Sequence, residues 1–305
     1  MFFNPVSLFD QCFTFVGKHM NYIDSLIGFP PEFSTRILDT GIQEGLFDTD
    51  TAIDILRMYG ESTDEFRALS LSNIMVLNEF EMNIQGVLQT VHKLDLSHLQ
   101  LDDEHEILSW IPELEFLQVL ILDQSNISDR GMKKITYPAF AGKKLANLHY
   151  LDISGLHLSL KFFKTLKHVT QLQTLIVDSE TCIDDIPGFS KVSRPQLEQV
   201  RMSSILIKLL ERWTALTMCR RKQKHILHNS TFYSKPLKPN TQILNTDSQE
   251  VTRNKIMLRR SEEIIKTTLN SRKRIRLQDN MGRNKMIKLE KNSPIENIDL
   301  LSLYQ

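Results

Sequence analysis

The sequence has few cysteines and lacks the residue patterns of disulfide frameworks, structural zinc sites and membrane spans. Its three cysteines, Cys12, Cys182 and Cys219, lie far apart and without C-x-x-C spacing, which argues against a disulfide framework and a zinc site. No apolar run reaches the roughly 18 residues of a membrane helix. The apolar start lacks a positive n-region and meets Asp10 before any small-residue cleavage pattern, which argues against a signal peptide. We therefore expect a reducing, intracellular compartment and no membrane partner.

The patterns of common catalytic and cofactor sites are also missing. The His105-Glu106 pair is not followed by the second histidine that a zinc protease needs. The chain has no Gly-rich phosphate loop and no G-x-S-x-G elbow. We expect a protein that is not an enzyme and that has no catalytic, cofactor or metal site.

Positive charge is scarce in the first part of the chain and concentrated in the last. The whole chain has 37 Lys+Arg and 37 Asp+Glu. From Met1 to Met218 there are 18 basic against 29 acidic residues, and from Cys219 to Gln305 there are 19 against 8. An acidic body with a basic tail predicts two parts with different tasks.

A leucine pattern, Φ-x-x-Φ-x-Φ-x-x-Φ-x-Φ with Φ apolar, recurs in the middle of the chain. Its clearest copies are VHKLDLSHLQL, LQVLILDQSNI and LHYLDISGLHL. The spacing between successive copies is 25, 26, 31, 24 and 25 residues, which is typical of a solenoid. The second apolar position of the copies falls at Leu69, Leu94, Leu120, Leu151, Leu175 and Val200.

These patterns predict an α/β fold, a leucine-rich repeat solenoid. It would be a short horseshoe with a parallel sheet on its concave face, helices on its convex face and helical caps. Residues 1–65 are expected to form an N-terminal helical cap and 66–202 about five to six repeats. Residues 203–228 are expected to form a C-terminal capping helix whose Trp213 seals the last repeat, and 229–305 a basic, mostly disordered tail.

The residues beside each strand leucine are predicted to face the concave surface, because side chains alternate across a strand. An apolar spot ringed by acids has the composition of an interface centre with a polar rim, and its acids favour a basic protein partner. The alternative is that these β-branched residues simply suit strands. The predicted partner-binding residues are Val119, Ile121, Asp123, Tyr150, Asp152, Ile176 and Asp178.

The tail contains two basic clusters that resemble a bipartite nuclear import signal. They favour an import receptor as partner and a nuclear over a cytoplasmic location. Association with nucleic acid through the tail, or a merely solubilising tail, are the alternatives. The residues of the predicted signal are Arg259, Arg260, Arg272, Lys273, Arg274 and Arg276.

Several segments resemble the leucine-rich repeat-containing protein 42 family. They are HMNYIDSLIGFPPEF from His19, LDDEHEIL from Leu101, NISDRGMKKIT from Asn126 and LDISGLHL from Leu151. The resemblance implies a leucine-rich repeat horseshoe without known enzymatic activity. It supports a scaffold that binds a protein partner on its concave face.

A second resemblance lies before the repeats. Residues 7–16 fit S-L-x-x-x-C-x-x-x-V, the pattern of the elongin-binding box in cullin ubiquitin-ligase receptors, and 29–37 fit Φ-P-x-x-Φ-x-x-x-Φ, their cullin-contact pattern. Leu8, Cys12 and Val16 would share one helix face that could enter an apolar groove. The resemblance implies a substrate receptor that binds elongin B/C and a cullin through residues 7–37. The alternative is that this face packs on the first repeat.

Overall fold

The computed structural model describes residues 7–141, 144–166, 169, 171–179, 186, 188–192, 197–229 and 255–260, except the side chains of 139–141 and 224–229. The chain divides into two compact units, Met1–Arg259 and Arg260–Gln305. Arg260 is the described residue of the second unit, and the fold below is that of the first.

Helices precede the repeats, and their starts follow from the local sequence. The Ser7 Oγ caps α1 by accepting a hydrogen bond from the Asp10 backbone N–H at 3.1 Å. Pro31 lies in the first turn of α2, where a missing N–H costs nothing. The described elements here are α1 (Leu8–Lys18), a 3₁₀ turn (Met20–Tyr22), α2 (Pro31–Gln43) and α3 (Ile53–Ser62).

Short strands alternate with returning helices through the repeats, as parallel pairing requires a crossover between strands. The strands are β1 (Ala68–Ser70), β2 (Lys93–Asp95), β3 (Val119–Ile121), β4 (Tyr150–Asp152) and β5 (Thr174–Asp178). The helices between them are α4 (Ile74–Glu79), α5 (Glu81–Leu88), α6 (Ile107–Trp110), a 3₁₀ turn (Ile111–Glu113), α7 (Asp129–Ala141) and α8 (Leu160–Thr165).

The strands form one mixed sheet of an α/β fold. Within the described residues it has seven strands in the order β1-β2-β3-β4-β5-β7-β6, where β6 is Phe189–Lys191 and β7 is Lys255–Arg260. The pairings from β1 to β5 are parallel, and β5 pairs with β7 antiparallel. The register places the predicted strand leucines side by side in the core: Leu69, Leu94, Leu120, Leu151 and Leu175.

The sixth predicted copy, which begins at Leu197, is not a strand. Residues 197–203 have no strand structure, and Val200 packs on the side of the sheet opposite the leucine core. The neighbour of β5 is instead β7, whose Leu258 is fully buried in the core. Five strands therefore carry the leucine repeat in the described sheet, because a remote apolar segment covers the edge that a sixth repeat would have used.

Asp103 and Asp129 each connect one repeat to the next. The Asp103 carboxylate accepts hydrogen bonds from the backbone N–H groups of Ser128 and Gly131 at 2.8 and 3.1 Å, so it binds the first turn of α7. Asp129 accepts one from the backbone N–H of Ser159 at 2.9 Å. Burial alone would raise the pKa of Asp103, but the hydrogen bonds from the Ser128 hydroxyl and from the Ser128 and Gly131 backbone N–H groups outweigh burial and lower the pKa. Both carboxylates therefore hold neighbouring repeats together.

The last long helix, α9 (Ser204–Asn229), packs at the other end of the repeats from the one predicted. It contacts α2 and α4. The buried Trp213 donates from its Nε1 to the Phe47 carbonyl at 2.7 Å, and its ring stacks on Phe80 with centroids 5.2 Å apart. The expectation that Trp213 seals the last repeat is therefore wrong. Apolar spacing identified the buried face of the helix, but the path of residues 197–203 decides which element that face meets.

Trp213→Ala is expected to lower the free energy of unfolding by about 3–5 kcal/mol, because it leaves a large cavity between α9 and the N-terminal helices. Met218→Ala on the same helix removes a side chain that is 47% exposed and should change it by less than about 0.5 kcal/mol. Urea unfolding of both variants measures the difference. Equal stability of the two would contradict this packing.

Candidate functional site

The residues predicted to face the concave surface beside the strand leucines form two columns on one face of the sheet. Parallel register aligns Lys93 with Val119 and Tyr150, and Asp95 with Ile121 and Asp152. This face is called the predicted concave face below. Its geometry follows from the two-residue period of a strand, which points both columns away from the leucine core.

The apolar spot on this face is buried. Val119, Ile121, Tyr150 and Ile176 are 0–8% exposed and pack with Met257 in a cluster separate from the leucine core. Val192 and Val200 pack against the same cluster. The expectation that the spot is an exposed binding centre is therefore wrong for this structure. The chain covers the spot with its own segments.

Residues 197–203 form part of this cover, which we call the strap. Glu198 in the strap binds two residues of the sheet. Its carboxylate pairs with the Lys93 Nζ at 2.8 Å, and its backbone N–H donates to the Tyr150 hydroxyl at 3.3 Å. Burial raises the pKa of Tyr150 to about 12.

Two of the predicted acids are engaged by Lys255 of β7. The Lys255 Nζ lies 2.7 Å from Asp123 and 3.2 Å from Asp152, whose side chains are 11% and 4% exposed. Burial raises the pKa of Asp152. Burial alone would lower the pKa of Lys255, but its bonds to both carboxylates raise it. The basic group expected from a partner is thus supplied within the chain.

Other acids of this face hold the strand ends together. Asp95 accepts hydrogen bonds from the Ser70 hydroxyl and the Ser97 backbone N–H, both at 2.9 Å. Asp178 accepts one at 2.8 Å from the backbone N–H of Gly155, which has a φ of +75° that favours glycine. These acids therefore have a structural task besides any binding role.

A second surface lies on the N-terminal helices. Leu8 is 77% exposed and Cys12 is also exposed, whereas Val16 is half-buried against the core. Phe15, 65% exposed, continues the outward series of Leu8 and Cys12. Sequence reasoning missed Phe15, although its position seven residues after Leu8 places it on the same helix face.

The opposite side of α1 is held against α2. Gly17 sits so close to Thr40 that a Cβ at Gly17 would lie 2.6 Å from the Thr40 Cβ. Phe13 is nearly buried, and its ring packs edge-on to Phe33 with centroids 5.5 Å apart. Because this side of α1 makes the packing contacts, Leu8 and Cys12 are left facing outward.

The cullin-contact pattern is divided between surface and core. Phe29 and Phe33 are 52% and 37% exposed, whereas Ile37 is 3% exposed. The first two apolar positions of this pattern are thus exposed, and Phe33 also packs against α1. The third packs inward.

Only the first of the two basic clusters of the predicted import signal falls within the described residues. Arg259 and Arg260 belong to β7, and the Arg259 side chain is exposed. Arg272, Lys273, Arg274 and Arg276 lie outside the described residues, as does Cys182. Import and nucleic-acid association stay predictions.

Two features of the described part bear on other classes of site. No helix in it is long and apolar enough to cross a bilayer. No three or more His, Cys, Asp or Glu side chains in it are grouped so that they could hold a metal ion.

Tyr150→Ala is expected to lower the free energy of unfolding by about 3 kcal/mol, because it removes a ring buried under the strap. Tyr22→Ala is the matched control, since Tyr22 is 77% exposed and its loss should cost less than about 0.5 kcal/mol. Urea unfolding measures both. A Tyr150→Ala chain as stable as the control would mean that the predicted concave face is open in solution.

The amino-acid sequence of this chain is similar to those of several vertebrate proteins that share one name. The chain is 29% identical over 186 residues to leucine-rich repeat-containing protein 42 of Danio rerio, a match that covers 59% of this chain and 46% of that protein. It is 30% identical over 161 residues to the Homo sapiens protein of the same name, covering 50% and 37%. For the Xenopus tropicalis protein the identity is 26% over 263 residues, covering 78% and 63%.

The chain thus spans less than half the length of the first two relatives. No protein-family model matches it. A solved chain described as Leiomodin-1 Actin-Binding Site 2 (ABS2) matches with 14% identity and a TM-score of 0.26, covering 74% of this chain and 98% of that one, a likeness too low to carry an argument. The resemblance inferred from the sequence is confirmed: over 50–78% of its length this chain is similar to vertebrate proteins named leucine-rich repeat-containing protein 42.

Proposed function

We propose that this chain is a leucine-rich repeat protein that acts without catalysis by binding protein partners. The name shared by its relatives and the parallel strands with aligned leucines support a repeat solenoid with helical caps. Solenoids present extended surfaces that bind other macromolecules. Protein binding is therefore the function that this architecture supports best.

The observation that carries the proposal is a concentration of exposed apolar side chains before the repeats. Of fourteen large hydrophobic side chains exposed in the described residues, seven lie between residues 8 and 33. Single exposed hydrophobics are ordinary, but a patch of them marks an interaction site. We name this set the N-terminal apolar surface: Leu8, Phe9, Phe15, Tyr22, Ile27, Phe29 and Phe33.

This surface replaces the predicted concave face as the proposed first contact with a partner. The residues expected to bind on the concave face are covered by the strap and β7, so a partner could reach them only after displacing the cover. The N-terminal apolar surface needs no such rearrangement. Phe9 and Phe33 touch there, with ring centroids 5.8 Å apart, so the exposed side chains of α1 adjoin those at the start of α2.

The test is a pair of matched double variants in proximity labelling. Leu8→Glu with Phe15→Glu places two charges on the N-terminal apolar surface. Leu160→Glu with Phe116→Glu places the same charges on residues that are 46% and 49% exposed elsewhere. We expect the first pair to lose the partners that the wild type labels and the second pair to keep them.

Both double variants should unfold within about 1 kcal/mol of the wild type, because each substitution is at an exposed site. Equal labelling by the two pairs, with stability retained, would exclude the N-terminal apolar surface as the binding site.

A second candidate function, a substrate receptor of an elongin-cullin ubiquitin ligase, is favoured by the outward orientation of Leu8 and Cys12. A helix that offers apolar side chains four residues apart suits an apolar groove on a partner. Phe33 packs against α1, and Phe29 and Phe33 are both exposed where the resemblance calls for a cullin contact. Val16 fits less well, because it is half-buried against the core.

A pull-down with purified elongin B and C separates this candidate from the general one. We expect the wild type to bind and Leu8→Ala with Cys12→Ala to reduce recovery about tenfold, since it removes two groove contacts. Leu160→Ala with Cys219→Ala is the matched control, because Cys219 is likewise exposed. Recovery of elongin no higher than with an unrelated protein would exclude the ligase function, and it would not affect the proposal of general protein binding.

A further inference from the structure

Strand β7 occupies a place in the sheet that chain order does not explain. The repeats put β1 to β5 side by side in sequence order, and β6 follows β5 in the chain. Nevertheless β7, which comes after α9, lies between β5 and β6. We call the space between these two strands the β5–β6 slot. A segment remote in sequence fills it.

The slot binds β7 through backbone hydrogen bonds on both sides. Five residue pairs join it to β5, from Thr174 opposite Arg259 to Asp178 opposite Lys255. On the β6 side, the Val192 backbone N–H donates to the Met257 carbonyl at 3.0 Å. These contacts recognise an extended backbone and are largely independent of side-chain identity.

Side-chain contacts add selectivity, because successive side chains of the bound strand point to opposite faces of the sheet. Leu258 enters the leucine core and is fully buried, with Ile256 half-buried beside it. On the opposite face Met257 is 6% exposed in the cluster that includes Ile176. The slot therefore accepts an apolar side chain on each face of the strand.

The charged end of the slot selects a long cation. The Lys255 Nζ reaches Asp123 on the far side of β4 and Asp152 within β4. Both carboxylates are shielded from water, and the Ser154 hydroxyl donates to Asp123 at 3.0 Å. Truncating one member of such a buried pair leaves an uncompensated charge, so this position discriminates strongly.

We propose that the β5–β6 slot is a strand-binding site that takes an extended segment of a partner protein, in which a lysine is followed two residues later by methionine, leucine or isoleucine. In this chain residues 255–259 are the resident occupant. Strand addition uses main-chain bonds for affinity and alternate side chains for specificity. Because the occupant is tethered, a partner segment competes against a high effective concentration.

This inference is independent of the N-terminal apolar surface, since it uses different residues and a different mode of binding. The experiment weakens the resident strand in the full-length chain and offers the same strand in trans. The probe is a fluorescent peptide with the sequence of residues 253–261, RNKIMLRRS, and the readout is fluorescence anisotropy.

Met257→Asp in the chain should expel β7, because it buries a carboxylate among apolar groups, and leave the slot intact. We expect this variant to bind the peptide roughly 100-fold more tightly than the wild type, whose slot is filled. Lys255→Glu, which repels Asp123 and Asp152, should act in the same direction. Lys133→Glu makes the same charge change at an exposed position outside the slot and should behave as the wild type.

A peptide with glutamate in place of its lysine should bind the Met257→Asp chain about 30-fold more weakly, the loss expected for a desolvated charge pair. Circular dichroism and the fluorescence of Trp110 and Trp213 check that the variants stay folded. Should Met257→Asp unfold the chain, Lys255→Glu decides the question.

Two results would overturn the proposal. One is a folded variant with its resident strand released, seen as fast amide exchange at 255–259, that still fails to bind the peptide. The other is a dimer of the wild-type chain that Met257→Asp abolishes, because the slot would then serve a second copy of this chain by strand exchange.

Discussion

The aligned burial of one leucine per strand is the constraint on which the rest of the structure depends. Leu69, Leu94, Leu120, Leu151 and Leu175 occupy equivalent positions in neighbouring strands. A one-residue slip in any pairing would turn its leucine to the opposite face, so register and burial enforce each other. This stacking alone would leave the outer edge of β5 without a paired strand and the face of the sheet opposite the leucines uncovered. The chain completes both with segments that are not repeats.

Covering that second face has consequences for binding. Burying each of Val119, Ile121, Tyr150 and Ile176 is favourable by about 1.5–3 kcal/mol, so the cover is held mainly by the hydrophobic effect. The Lys255 pairs with Asp123 and Asp152 add orientation more than stability, because desolvation offsets much of their attraction. A protein that binds there must replace both the apolar contacts and the cation. This requirement explains why a strand of similar chemistry is the natural competitor.

The N-terminal helices show the opposite situation, in which apolar side chains remain outside. The α1–α2 contact is narrow where Gly17 meets Thr40, and it uses the side of α1 that carries Phe13. Leu8, Cys12 and Phe15 therefore remain exposed to water, and a partner that covered them would be stabilised by the burial of their apolar surface. The two surfaces differ in kind, since one binds without rearrangement and the other requires exchange of a resident strand.

The sequence by itself determined the leucine spacing, the α/β fold and the two columns of residues beside the strand leucines, because all of these follow from the local periods of helices and strands. It did not determine what lies over those columns. The copy at Leu197 has the spacing of a repeat, yet Val200 packs over the sheet face and β7 takes the edge. Likewise the spacing of α9 identified Trp213 as buried without identifying Phe47 and Phe80 as its partners. Tertiary structure decided these points, because apolar side chains bury equally well against any complementary surface within reach of the chain.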